Sequence, residues 1–237
     1  MTSSAMFHLM LPLLLAASIV SGAVAGQTAA ATKRWADRFN LSACSWSSAG
    51  RNDFFILEPG YQEVLEGRVG GEAVRLEITV LDETRKVGGV ETRVVEEKET
   101  RNGEITEVSR NFFAVCRPGN DVFYFGEEVD LYKNGKITGH EGSWVAEGGA
   151  RPGLFMPSRP LLGGRFYQEI APGVAMDRME IVNDSESVKT PAGEFHDVLR
   201  GEETTPLEPS AKDLKLFARG IGIVRDGDLL LTKYGSK

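Results

Sequence analysis

Turn chemistry sets the fold class of this chain. Pro59-Gly60, Gly70-Gly71, Gly88-Gly89, Asn102-Gly103, Pro118-Gly119-Asn120, Asn134-Gly135, Pro172-Gly173, Pro191-Ala192-Gly193 and Asp226-Gly227 punctuate it roughly every 10 to 15 residues. Between these breakers no stretch sustains the apolar spacing of a long helix. Period-two alternation takes its place. Val74, Leu76, Ile78 and Val80 fall on one face of Ala73 to Leu81, and Arg75, Glu77 and Thr79 on the other. One face is then buried and the other wet, as in an antiparallel sheet. Val90-Thr92-Val94 continues the pattern, and Lys133-Asn134-Gly135-Lys136 carries the Asn-Gly signature of a type I′ hairpin. With no crossover helices a parallel sheet is excluded. The expectation is one all-β domain: a single antiparallel meander of about 11 to 13 strands, curled into an open sheet, a half-barrel or a barrel.

The ends of the chain read differently. Residues 1–25 hold no Asp, Glu, Lys or Arg, and Leu9 to Val20 is apolar apart from Pro12 and Ser18. Ala23-Val24-Ala25 then places small residues where a signal peptidase needs them, so 1–25 is expected to be a cleaved signal peptide. The run is too short for a comfortable span, and no stable membrane anchor is expected once it is cut. No Cys follows it, which excludes a lipobox. Residues 26–50 are expected to be a flexible lead-in with a short N-terminal helix over Lys33 to Asn40, where Trp35 and Phe39 sit four apart. Residues 51–237 form the β domain. Export to the periplasm or the medium follows.

Charge and cysteine content narrow the partners. The 27 basic and 34 acidic residues give a net charge of −7, which argues against nucleic acid and anionic membrane surfaces. Cys44 and Cys116, 72 positions apart, permit one intramolecular disulfide in an oxidising compartment. The alternative is that Cys116, ending Phe112-Phe113-Ala114-Val115, is a plain core residue.

Catalytic and cofactor signatures are missing from the sequence. His140 and His196, beside Glu141 and Asp197, lack metal-site spacing and read as surface residues. No Gly-x-Ser-x-Gly elbow or phosphate loop occurs. Acidic clusters at Glu96-Glu97, Glu127-Glu128, Asp184-Ser185-Glu186 and Glu202-Glu203 read as solvated strand faces. No cofactor and no catalytic residue is predicted.

One segment, Leu154 to Gly164, is apolar yet full of breakers and is expected to be a loop buried over the barrel end or lipping a cavity. Phe155, Met156, Leu161, Met176 and Met179 would then stand near the mouth, with Arg165 and Arg178 for an acidic head group. The leading expectation is a non-enzymatic β protein that binds an apolar or amphiphilic small molecule, or an envelope protein. The alternatives are a hydrolase of glycan or cell-wall fragments acting through Glu202-Glu203 and Glu208, and a structural interaction module that accepts a partner strand.

Asn52-Asp53-Phe54-Phe55-Ile56-Leu57-Glu58-Pro59-Gly60 resembles the opening of a group of exported bacterial β-rich proteins and lipoproteins. Gln168-Glu169, Pro172-Gly173, Asp177, Pro191 to Phe195, Thr205 to Pro209 and Gly220 to Val224 extend the likeness over about residues 52–226. The resemblance implies a half-barrel of the lipoprotein-carrier outline and carries no activity or catalytic residue. This sequence departs from the lipoprotein members in lacking the acylated Cys.

Overall fold

A computed structural model describes residues 34–236. The predicted signal peptide and the start of the lead-in lie outside the described residues. The described chain enters extended, makes one 3-10 turn at Leu41–Ala43, and adds β1 (Ser45–Ser47), β2 (Gly50–Asn52) and β3 (Phe55–Leu57). Five long strands follow: β4 (Tyr61–Val69), β5 (Glu72–Val87), β6 (Val90–Arg101), β7 (Glu104–Arg117) and β8 (Asp121–Lys133). Shorter pieces come next, β9 (Lys136–Gly139), β10 (Trp144–Val145), β11 (Arg151–Met156), β12 (Arg165–Tyr167) and β13 (Glu169–Ile170). The chain closes with β14 (Arg178–Thr190), β15 (Gly193–Thr205), β16 (Glu208–Ala218), β17 (Gly222–Asp226) and β18 (Leu229–Ser236).

The all-β expectation holds. Hydrogen-bonded neighbours run β12-β14-β15-β16-β17-β18-β4-β5-β6-β7-β8-β11-β13, and every strand ladder is antiparallel. The two ends of this path, β12 and β13, are separated in sequence by Gln168 alone. The sheet therefore curls until its rims meet, and it is nearly closed into a barrel with one seam.

Local chemistry explains the meander. Asn102-Gly103 and Asn134-Gly135 have both central φ angles positive (50° and 87°, 52° and 71°), the geometry of type I′ turns. They join Arg101 to Glu104 and Lys133 to Lys136. Alternation fills the interior: Leu65, Leu76, Val95, Phe113, Val122, Ile181, Leu216 and Leu231 are all buried in one continuous core. Gly126 is a phase shifter. The ladder between β7 and β8 slips between Asn111 and Phe113, so that Tyr124 and Glu127, an odd number of residues apart, both face inward. A Cβ on Gly126 would lie 2.3 Å from the Trp144 carbonyl oxygen.

A second apolar layer lies on the outer face of β6, β7 and β8. Val94, Phe112, Ala114, Phe123 and Phe125 are buried there beneath Phe39, Leu41 and Trp46. Cys44 and Cys116 form a disulfide that pins this N-terminal strap to β7.

Two expectations are corrected. Residues 34–40 form no helix, and the single 3-10 turn lies just beyond them. Ala36 instead exchanges backbone hydrogen bonds with β12, accepting from Tyr167 N–H and donating to Arg165 O. Its aromatic neighbours serve separate sites: Trp35 packs against Tyr167 and Phe39 edge-on against Phe123. An extended chain reaches both; a helix would stack them on one side. The apolar segment is likewise part strand, because Gly153, Leu154 and Met156 supply the second neighbour of β8. Only 157–164 is loop, and there Leu161 and Leu162 are exposed rather than buried over the barrel.

Candidate functional site

A cleft opens inside the barrel beside the seam. Its lining comes from β6 (Glu97), β7 (Asn111, Phe113), β8 (Tyr124, Glu127), β11 (Phe155), the seam (Gln168, Glu169), Asp177 and β15 (Glu203). The space among the lining atoms is about 390 Å³, partly open to solvent, but a water molecule's centre fits within only about 20 Å³ of it. That is room for a compact group, not for a lipid chain.

One wall is aromatic. Phe113 and Tyr124 stack with centroids 4.6 Å apart, and Phe155 meets Phe113 edge-on at 4.9 Å. The rest is acidic, with Glu127, Asp177 and Glu203 buried and Glu97 and Glu169 partly so. Register explains the convergence. Glu97 faces Ser109 and Asn111 faces Glu127 across the ladders, while Met179 stands opposite Glu203.

The polar contacts are mostly internal. Asn111 Nδ2 donates to Val95 O (3.2 Å) and Ser109 Oγ (3.0 Å), which leaves Asn111 Oδ1 to accept from the Tyr124 hydroxyl. Gln168 Nε2 donates to Phe155 O at 3.1 Å across the seam, and the N–H groups of Gln168 and Glu169 both donate to Asp177 O. Gln168 is 2% exposed, yet its Oε1 has no hydrogen-bond partner. A buried acceptor left this way costs about 1–3 kcal/mol.

One buried cation flanks the cleft. Lys215 Nζ lies 3.3 Å from Asp226 Oδ2 and 3.6 Å from Glu203 Oε1. Burial alone would lower its pKa, but Asp226 and Glu203 outweigh that and hold it above the ordinary lysine range. Burial pushes Glu203 up to about 8 and Glu97 up to about 7, with Lys215 pulling both back. Burial, then neighbouring acids, raises Glu127 and Glu169 well above the usual carboxylate range. Like charges this close in a low-dielectric interior cannot all ionise, so the cleft stores protons at neutral pH. Among the described residues, no three His, Cys, Asp or Glu side chains converge as metal ligands would.

The seven residues singled out from sequence do not assemble. Phe155 lines the cleft. Met156 and Met179 are fully buried core, Leu161 is 72% exposed, and Met176 is half-buried. Arg165 and Arg178 share ladder rows with Glu180, Glu202 and Thr204, on the face opposite Met179 and Glu203. There Arg165 pairs with Glu180 at 2.5 Å, and Arg178 lies over the Trp35 ring at 4.4 Å. His140 and His196 are exposed.

Comparison with known protein families, curated proteins and solved structures returns no match.

Sequence reasoning missed Glu97, Glu127, Gln168, Glu169, Asp177 and Lys215 as parts of a site. The signal was present in the acidic doublets. Two adjacent residues of a strand face opposite sides of the sheet, so Glu96-Glu97, Glu127-Glu128 and Glu202-Glu203 each send one carboxylate inward.

Proposed function

We propose that this chain is an exported, non-enzymatic binding protein of the cell envelope whose ligand occupies the acid-lined cleft inside the barrel. The observation that carries this reading is Gln168 Oε1, a buried acceptor without a partner at the seam. Native interiors satisfy such atoms with protein or ordered solvent, and an orphan bordering a cavity points to a missing donor. The aromatic wall beside the carboxylates suits an amphiphilic ligand with a compact, donor-rich head; a purely apolar one would leave Gln168 Oε1 unmet. Export is supported by the charge-free apolar leader and by the Cys44–Cys116 disulfide, a bond that persists in oxidising compartments.

Native mass spectrometry of protein purified from its natural compartment tests the reading. A stoichiometric excess mass, lost on denaturation and reduced in Gln168→Leu, is the expected result. Equal native and denatured masses, with unchanged thermal stability across a library of small polar amphiphiles, would overturn it.

A second reading is favoured by one observation: Glu203, raised to about 8, faces other carboxylates in the cleft, as a general acid of a glycan hydrolase would. Glu202 stands on the outer face instead, 2.8 Å from Lys212. Turnover of cell-wall or glycan fragments that Glu203→Gln abolishes would establish this alternative.

A further inference from the structure

We infer that the group bound in the cleft is a compact organic cation, an ammonium or guanidinium head, held by Glu127, Glu169 and Gln168 Oε1. This rests on the reading of the cleft as a ligand site, and names the chemistry of its occupant.

Hydrogen-bond inventory gives the first argument. Asn111 spends its amide donors on Val95 O and Ser109 Oγ, Tyr124 donates to Asn111, and Gln168 donates to Phe155 O. What these residues leave facing the space is oxygen: carboxylates on two sides and the unpartnered Gln168 Oε1. The unpartnered Gln168 Oε1 recognises a donor, and a cationic head beside it takes the place of protons that the neighbouring carboxyls give up to solvent.

The chain itself supplies the second argument. Next to Glu203 the interior is neutralised by an ammonium of its own, Lys215, between Glu203 and Asp226. Glu127 and Glu169, which line the same cleft, have acids as their leading charged neighbours: Glu107, Glu97 and Asp177 for Glu127, and Asp177, Glu127 and Glu203 for Glu169. A cationic head placed among them repeats the arrangement that Lys215 makes with Glu203 and Asp226.

Ring geometry gives the third. Phe113 and Tyr124 stack nearly parallel, 16° apart, and line the same space as the carboxylates. Both rings are packed against each other and against Phe55, Phe155 and Trp144, so they serve as an apolar wall that lowers the local dielectric and strengthens a contact between a carboxylate and a cationic head. A single divalent ion fits less well, because among the described residues no three carboxylates converge to ligate it. Several N–H donors on one planar or tetrahedral head can reach groups that are further apart. The small free volume restricts that head to about the size of guanidinium or methylammonium.

The test is isothermal titration of the full mature chain at pH 7.5 with guanidinium chloride and methylammonium chloride at millimolar concentration. Sodium chloride at matched ionic strength and calcium chloride serve as comparators. Saturable one-site binding of at least one organic cation is expected, weakened tenfold or more in Glu127→Gln and in Gln168→Leu. Gln168→Leu also removes the seam hydrogen bond from Nε2 to Phe155 O, so both variants are first checked for a native melting transition, and binding to the wild-type chain decides the inference where a variant does not fold. If neither cation binds while native mass spectrometry finds a neutral or anionic adduct, the cation inference falls and the binding reading stands. Calcium binding that excludes guanidinium overturns the inference in the same way. No adduct and no titrant binding overturn both.

Discussion

Lys215 and Asp226 form an ion pair sealed from solvent, with Nζ to Oδ2 at 3.3 Å and side chains only 3% and 4% exposed. Cross-strand register imposes the contact, since the two residues are direct partners on β16 and β17. Glu203 leans on the same ammonium at 3.6 Å. Removing one member of such a pair leaves the other as an uncompensated buried charge, at a cost of roughly 3–5 kcal/mol. Lys215→Met is therefore expected to destabilise the barrel by about that much at pH 8. At pH 5 part of the loss should be recovered, because Glu203, whose pKa is raised to about 8, is then fully protonated and no longer needs the ammonium. Urea denaturation at both values checks this; equal losses at the two would show that the lysine acts by packing alone.

The stored protons predict a pH profile of unusual sign. Glu97 and Glu203 have folded pKa values raised to about 7 and about 8, above those of the unfolded chain. The folded state then binds more protons than the unfolded state between about pH 4.5 and 8, and stability falls as pH rises through that window. The contribution is complete below about 4.5 and gone above about 8. Glu77, held down to about 2 by Lys98 and Arg75, contributes in the opposite sense, but only below that window. Melting of ligand-free protein should drop by about 5 °C from pH 5 to pH 8.5. A flat or rising profile would mean that these carboxylates are solvated.

The disulfide gives an independent prediction. Cys44 and Cys116 close a separation of 72 residues, worth about 4 kcal/mol on the loop-entropy account. Cys44→Ser with Cys116→Ser should lower the melting temperature by about 10 °C. The lost strap also exposes part of the outer apolar layer, including Phe123 and Phe125 beneath Trp46, so dye binding to apolar surface should rise. Thiol titration of denatured, unreduced wild-type protein should find no free thiol.

Gly126 is predicted to resist replacement by any L residue. Its φ of 125° is strained for any L side chain, and a Cβ would meet the Trp144 backbone at 2.3 Å. Gly126→Ala should cost about 2–4 kcal/mol and disturb the shared inward face of Tyr124 and Glu127. Near-ultraviolet circular dichroism reads this directly, because Tyr124 packs edge-on against Trp144 at 5.5 Å.

How far the sequence carries depends on what each residue answers to. The strand Ala73 to Leu81 and the Asn-Gly turns were legible because period-two burial and positive φ are local requirements. Closure of the sheet was not, since it depends on β12 and β13 meeting their neighbours, a pairing that no short window contains. The site was half legible. An acidic doublet in a strand must turn one carboxylate inward, yet which of the two turns depends on bulges such as that at Gly126. Reading Glu127-Glu128 as one solvated face ignored the pleat. Arg165 and Arg178 lie outside the cleft for the same reason, since each sits one register row away from an inward-facing residue.

The neighbour of β4 is β18, which places the first long strand beside the last, in the middle of the hydrogen-bonded path rather than at its seam. Without residues 229–236 the flank of Tyr61–Val69 would be a bare edge. The pairing that shuts the interior is therefore the one farthest apart in sequence, and the hollow exists only once both halves of the meander have found each other.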